Sequence, residues 1–225
     1  MQKSDNLSSH LSSEYDSQIT NTIPYYNFFH QEIINLVESI DINPNVWLDT
    51  GCGTGNLVEK ALQKFQDTVF ILADPSVDML NKAKEKLDCN EVKFLESAPS
   101  QDISLLSPVD VITAVQSHHY LSEDERYNAV KSCYDNLNEN GVYVTFENIR
   151  PLTEKGTEIG KEYWKKFQIS NGKTVKDAEN HIKRFGVEYF PITVEEHLLL
   201  LRKIGFSVVE IFWYSYMQAG FYCIK

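Results

Sequence analysis

The run Asp49-Thr50-Gly51-Cys52-Gly53-Thr54-Gly55 sets three glycines at alternate positions directly after the short apolar segment Val46-Trp47-Leu48. Glycine enters left-handed backbone without penalty and carries no Cβ, so such a run lets the chain reverse sharply and lets a ligand approach the main chain. Between a strand pattern and a helical pattern it demands a strand, a tight turn and a helix. The turn then falls at the carboxyl end of a strand, where open parallel sheets bind their ligands.

The rest of the chain supplies such a sheet. Tyr25, Phe28, Phe29, Ile33, Leu36, Val37 and Ile40 recur at helical spacing, and Asn43-Pro44-Asn45 breaks that helix before the first strand. Beyond the glycine run, helical patterns at 56–65 and 77–87 alternate with strand patterns at 68–73, 92–95 and 109–115, which predicts right-handed crossovers and parallel pairing. Ser122 and Glu125 form a capping box opening a helix at 124–137, and Gly141 ends the turn before a fifth strand at 142–146. A long irregular stretch follows. A second capping box, Thr193 and Glu196, starts a helix at 194–204 that Gly205 stops. The strand patterns at 206–213 and 219–224 are too close for a crossover helix and must pair antiparallel. The predicted architecture is α/β: a three-layer sandwich around a mostly parallel seven-stranded sheet with one reversed strand. Residues 1–40 form a polar tail and cap helices, and 41–225 form the ligand-binding domain, with a lid insertion at about 150–192.

A chain of 225 residues with 42% hydrophobic and 24% charged residues is sized for one core. The net charge of −11 disfavours nucleic acid, whose binding rests on neutralising phosphates. Residues 151–190 are the exception, with eight Lys or Arg against six Asp or Glu. Cys52, Cys89, Cys133 and Cys223 lack any metal or disulfide spacing, and there is neither a leader pattern nor an eighteen-residue apolar run. A cytoplasmic, metal-free protein that does not enter membranes is expected; a homodimer is not indicated.

The glycine spacing is G-x-G-x-G, whereas a dinucleotide fingerprint needs a glycine where Asn56 or Val58 stands. Asp49 would repel a pyrophosphate but suits a cationic sulfonium bearing an ammonium group. Asp74 ends the second strand, 19 residues beyond Gly55, where a carboxylate can accept both hydroxyls of a ribose.

Through VWLDTGCGTGNL, the acid in ILADPSVDML, QSHHYL and VYVTFEN, the chain resembles the class I S-adenosylmethionine (SAM)-dependent methyltransferases, a Rossmann-like family, along most of its length. The resemblance implies that SAM is the cofactor. On it, Asp49 with Gly51, Gly53 and Gly55 holds the methionine part, Asp74 the ribose and Met79 the adenine, while Tyr15 closes over SAM. Gln116 joins the cofactor set. Family members often carry an Asp after the third strand, and here Glu96-Ser97-Ala98-Pro99 stands instead; Ser97, Gln101 or Asp102 would then serve the adenine.

Methyl transfer is an in-line displacement that needs positioning and removal of the proton blocking the acceptor's lone pair. His118, His119 and Glu147, after strands four and five, are the catalytic candidates, with either histidine as base. Tyr25, Tyr26, Tyr120, Arg150, His181 and Arg184 are candidates for holding a small-molecule acceptor, one with an anionic group if the arginines face it. Three alternatives stay open: a tRNA-modifying enzyme, an enzyme forming carboxy-SAM, and a non-catalytic SAM-binding regulator.

Overall fold

The computed structural model describes residues 7, 8, 10–40 and 42–225. Helices α1 (Tyr15–Thr22) and α2 (Tyr26–Ser39) precede an alternating body: β1 (Val46–Thr50), α3 (Asn56–Ala61), β2 (Val69–Ala73), α4 (Val77–Lys86), β3 (Val92–Phe94), β4 (Val109–Val115), α5 (Glu123–Asn136) and β5 (Leu137–Asn148). The chain ends with α6 (Glu154–Ser170), α7 (Val175–Lys183), α8 (Val194–Ile204), β6 (Val208–Ser215) and β7 (Gln218–Ile224). The strands form one seven-stranded sheet in the order β3-β2-β1-β4-β5-β7-β6, parallel throughout except for β7, which runs antiparallel to both its neighbours. Among the described residues no helix is long and apolar enough to cross a membrane.

Both faces of the sheet are buried, as crossover helices require. Trp47, Val111, Val144 and Phe146 pack with Phe29 and Ile33 of α2 and Val58 of α3; Leu48, Ile112 and Tyr143 pack with Val130 of α5 and Leu201 of α8. Burying these wholly enclosed side chains is worth roughly 1.5–3 kcal/mol each before chain entropy is subtracted. Both capping boxes form, at Ser122 with Glu125 and at Thr193 with Glu196.

Two stretches differ from expectation. Strand β5 begins at Leu137, with no separate turn before it, because Asn140 takes a left-handed φ of 63° inside an irregular register that pairs Val109 with Leu137 and then Val111 with Val142. The insertion is largely helical. Its two helices were illegible because few of their apolar residues are core; Trp164 is the anchor, wholly buried and donating its indole N–H to the Thr22 carbonyl at 2.7 Å. That bond ties α6 to the end of α1.

Candidate active site

A cavity of about 350 Å³ opens at the carboxyl ends of β1, β2 and β4. Gly51 and Gly53 form part of its floor. Gly51 has a φ of +67°, and a Cβ there would lie 2.4 Å from Ser117 Cβ, so the close approach of the two loops requires glycine. Gly55 does not line the cavity. It precedes α3 and packs toward Leu87, which corrects its expected place among the ligand contacts.

Asp74 lines the cavity at the end of β2. Its two carboxylate oxygens accept the backbone N–H groups of Gly53 and Ser76, each at 2.8 Å. Met79 on α4 lines the same side, under the Ser76 cap. Asp49 lies beneath the wall rather than in it, 2% exposed, accepting the Thr113 hydroxyl at 2.7 Å; that hydroxyl in turn accepts the Trp47 indole N–H. Burial pushes the Asp49 carboxyl up to about 7 against the lowering effect of Thr113, and the nearby Asp74 charge adds to the rise.

From above, Tyr15 of α1 closes the cavity. The adjacent Asp16 fastens this helix to the glycine turn, accepting Thr54 Oγ1 at 2.6 Å, Asn56 Nδ2 at 2.8 Å and Lys86 Nζ at 2.8 Å. Leu7 and Ser8, read from sequence as tail, also line it. Ser97 does not: its hydroxyl turns outward to the Pro75 carbonyl at 2.6 Å, and Pro99 and Ser100 take its place. Gln101 and Asp102 are absent from the lining as well.

Gln116, Ser117, His118 and Tyr120 line the side beyond β4. Gln116 has a left-handed φ of 55°, locked by its N–H to the Phe146 carbonyl at 2.6 Å. Ser117 Oγ and His118 Nε2 are buried and without a hydrogen-bond partner among the described residues, an arrangement that a polar ligand would relieve. His119 and Glu147 are absent from the lining. Glu147 is wholly buried and accepts four bonds: backbone N–H groups of His118 at 3.1 Å and His119 at 3.0 Å, the Thr145 hydroxyl at 3.0 Å and His119 Nδ1 at 2.6 Å. Burial opposes its ionisation, but the His119 hydrogen bond and the neighbouring imidazoles hold its carboxyl down at about 2. Neither group lines the cavity; Glu147 anchors the turn that carries His118.

The expected acceptor residues divide. His181 and Tyr120 line the cavity, joined by Asn148 and Tyr189, which sequence reasoning passed over. Tyr26 is buried outside the lining, and Tyr25 is exposed, its ring against Phe28, Trp213 and Tyr216. Arg150 pairs with Glu196 on the surface at 2.9 Å. Arg184 borders a neighbouring pocket, bound to Glu188 and to the Leu7 carbonyl, each at 2.6 Å. Among the described residues, no lysine or arginine lines the cavity, and Asp74 is the one acidic residue that does. A buried arginine that sequence gave no reason to single out, Arg126 of α5, donates to the carbonyls of His118, Leu121 and Phe190 and so joins the His118 turn to the insertion.

Residues 48–143 match the family model described as a methyltransferase domain. The fold is that of the class I SAM-dependent methyltransferases. An N-methyltransferase from Bradyrhizobium japonicum solved with S-adenosyl-L-homocysteine superposes with a TM-score of 0.66 at 12% identity, covering 95% of this chain and 94% of that one. An O-methyltransferase-type structure from Nostoc punctiforme gives a TM-score of 0.68 at 14% identity over 95% of this chain and 58% of its own. In sequence, this methyltransferase-fold chain is 22% identical over 213 residues to a carboxy-S-adenosyl-L-methionine synthase of Staphylococcus epidermidis, spanning 93% of this chain and 91% of the relative. The Helicobacter pylori protein of that name is 28% identical over 218 residues, spanning 87% and 84%.

Proposed function

We propose that this chain binds SAM in the cavity and transfers its methyl group to an uncharged small molecule held against His118, Tyr120, Asn148 and Tyr189. One observation carries the reading: a ligand-sized cavity at the switch point of the sheet is floored by glycines, with Asp74 at its edge, Asp49 beneath it and, among the described residues, no lysine or arginine in its lining. That lining suits a sulfonium and a ribose. SAM supplies an electrophilic methyl whose bonding pair returns to sulfur as the acceptor atom attacks. The protein aligns the acceptor, excludes water through α1 and the insertion, and takes the acceptor's proton on His118 Nε2. An anionic acceptor, read from the arginines, loses its support because Arg150 and Arg184 are engaged outside the cavity.

Cation binding should depend on pH through Asp49. A positive ligand favours its ionised form, so SAM affinity should rise with pH, by up to about tenfold per unit, and level off above about 7. In the unliganded protein the sign reverses: a carboxyl raised from 3.8 to about 7 favours the folded state when protonated, and that stability is lost as pH climbs through this window. Calorimetry in buffers of different ionisation enthalpy should register proton release below pH 7; affinity that is flat with pH would sink the assignment.

Burial lowers His118 to about 4, so its imidazole is a neutral base through the physiological range. Methyl transfer should therefore lack a limb near the unperturbed histidine value of about 6.5. The His118→Ala variant should lose roughly 10²-fold in kcat with SAM affinity retained.

A second reading, formation of carboxy-SAM, is favoured by the relatives of that name, which match nearly the whole chain. The absence of lysine and arginine from the described residues of the cavity lining weighs against holding a carboxylate there. Mass analysis of incubations with SAM and pooled metabolites separates the two: an acceptor heavier by CH2 with S-adenosylhomocysteine, or SAM itself heavier by CO2. Binding without turnover would point to a regulator.

A further inference from the structure

We propose that Tyr189 is a specificity-determining residue whose hydroxyl donates a hydrogen bond to an uncharged oxygen of the acceptor molecule, apart from the atom that takes the methyl group. Three side chains lining the cavity hold an atom that is buried with no hydrogen-bond partner among the described residues: Ser117 Oγ, His118 Nε2 and Tyr189 OH. They do not all serve the same end of it. Ser117 Oγ stands 2.9 Å from where a Cβ on Gly51 would lie, at the glycine turn, and so belongs to the cofactor side. Tyr189 comes from the insertion, and its ring packs edge-on against His119 at 5.8 Å and Tyr120 at 6.2 Å between centroids. That is the acceptor side.

A wholly enclosed hydroxyl without a partner destabilises the folded chain, because its hydrogen bonds to water are lost and nothing in the protein replaces them. The backbone fixes Tyr189 in that position from both sides. Phe190 N–H is bound to the His119 carbonyl at 2.7 Å, the Phe190 carbonyl accepts Arg126 Nη2, and the Tyr189 carbonyl accepts Gly186 N–H at 2.8 Å. Turning the ring about its own axis leaves the hydroxyl oxygen where it is. Phenylalanine would fill the same space without the unpaired group, so the hydroxyl has a use only when a molecule is bound. Burial pushes its ionisation up, which keeps it an O–H donor, and a donor calls for a lone pair on the ligand. The rings of Tyr120 and His181 flank it, and Ile19, Ile23 and Leu121 add aliphatic surface to the same lining. These walls suit a ring-bearing body that carries a carbonyl, ether or hydroxyl oxygen. That such a molecule receives a methyl group rests on the methyl-transfer reading, whereas the unpaired hydroxyl belongs to the protein alone.

The test is the Tyr189→Phe variant of the full-length protein. Without ligand, its urea midpoint should equal or exceed that of the parent; a lower midpoint, or a variant that does not fold, would show that the hydroxyl has a partner inside the protein and would overturn the proposal. Acetophenone and α-methylstyrene, planar molecules of similar shape of which only the first has an oxygen, are then titrated calorimetrically into both proteins, ligand-free and saturated with S-adenosylhomocysteine. Tyr189→Phe should bind acetophenone about three- to tenfold more weakly than the parent does and α-methylstyrene as well as the parent or better. Equal acetophenone affinity in the two proteins, parallel losses for both probes, or a parent that binds no acetophenone would overturn the proposal. A parent that shows the expected dependence on Tyr189 but binds no SAM would instead overturn the methyl-transfer reading and leave the Tyr189 contact standing.

Discussion

Replacing Glu147 with alanine should destabilise the domain by about 3–5 kcal/mol, a large part of the 5–15 kcal/mol that ordinarily holds a domain folded. The carboxylate is wholly buried, and its removal strands two backbone N–H groups, the Thr145 hydroxyl and the His119 ring N–H. Each buried donor without an acceptor costs about 1–3 kcal/mol, partly recovered if water enters the space. Glu147→Gln should cost less, because one oxygen remains, while its amide must face donors. Urea denaturation read by fluorescence and circular dichroism would measure both. A loss under about 1 kcal/mol for Glu147→Ala would show that the four bonds are dispensable. The same residue predicts an acid limit. With its carboxyl lowered from 4.5 to about 2, its stabilisation is complete above the higher value and drains away as pH falls through the lower.

The Asp74→Ala variant should weaken SAM by about 1.5–3 kcal/mol, or roughly tenfold to 150-fold, while the protein stays folded. Two effects combine. The substitution removes the acceptors expected to meet the ribose hydroxyls, and it releases Gly53 N–H and Ser76 N–H, which shape the loops on either side. Asp74→Asn separates them, since its amide oxygen retains one of the two acceptor positions. Calorimetric titration with SAM and with S-adenosylhomocysteine is the measurement. Equal affinity in parent and folded variant would remove Asp74 from the ligand contacts.

Where the sequence could be read, the signals were local. Alternating apolar runs, two capping boxes and the breaks at Asn43-Pro44-Asn45 and Gly205 are short-range features, and the elements they define lie within a few residues of their expected ends. Helices α6 and α7 escaped because their exposed faces are long, and Trp164 meets its partner Thr22 across 142 positions of chain. The β5 irregularity likewise depends on pairing with β4, which no local pattern records.

The same division runs through the site. Order along the chain was enough to bring Gly51, Gly53, Asp74, Gln116 and His118 to one edge, because a strand's carboxyl end lies at a predictable place once the sheet is parallel. Asn148 could have been found by that rule, as the last residue of β5. Side-chain direction was a different matter. Arg184 and Arg150 follow strand five in sequence but satisfy their charges on Glu188 and Glu196, at positions set by the packing of α7 and α8. Of the two adjacent histidines, packing turns His119 onto Glu147 and leaves His118 at the cavity. Composition and periodicity therefore determined the layers and the ligand-binding edge, through the burial of apolar faces and the backbone freedom of glycine. Only the tertiary structure decided which polar groups meet a ligand and which hold each other, because desolvation and hydrogen bonding are settled by neighbours distant in the chain.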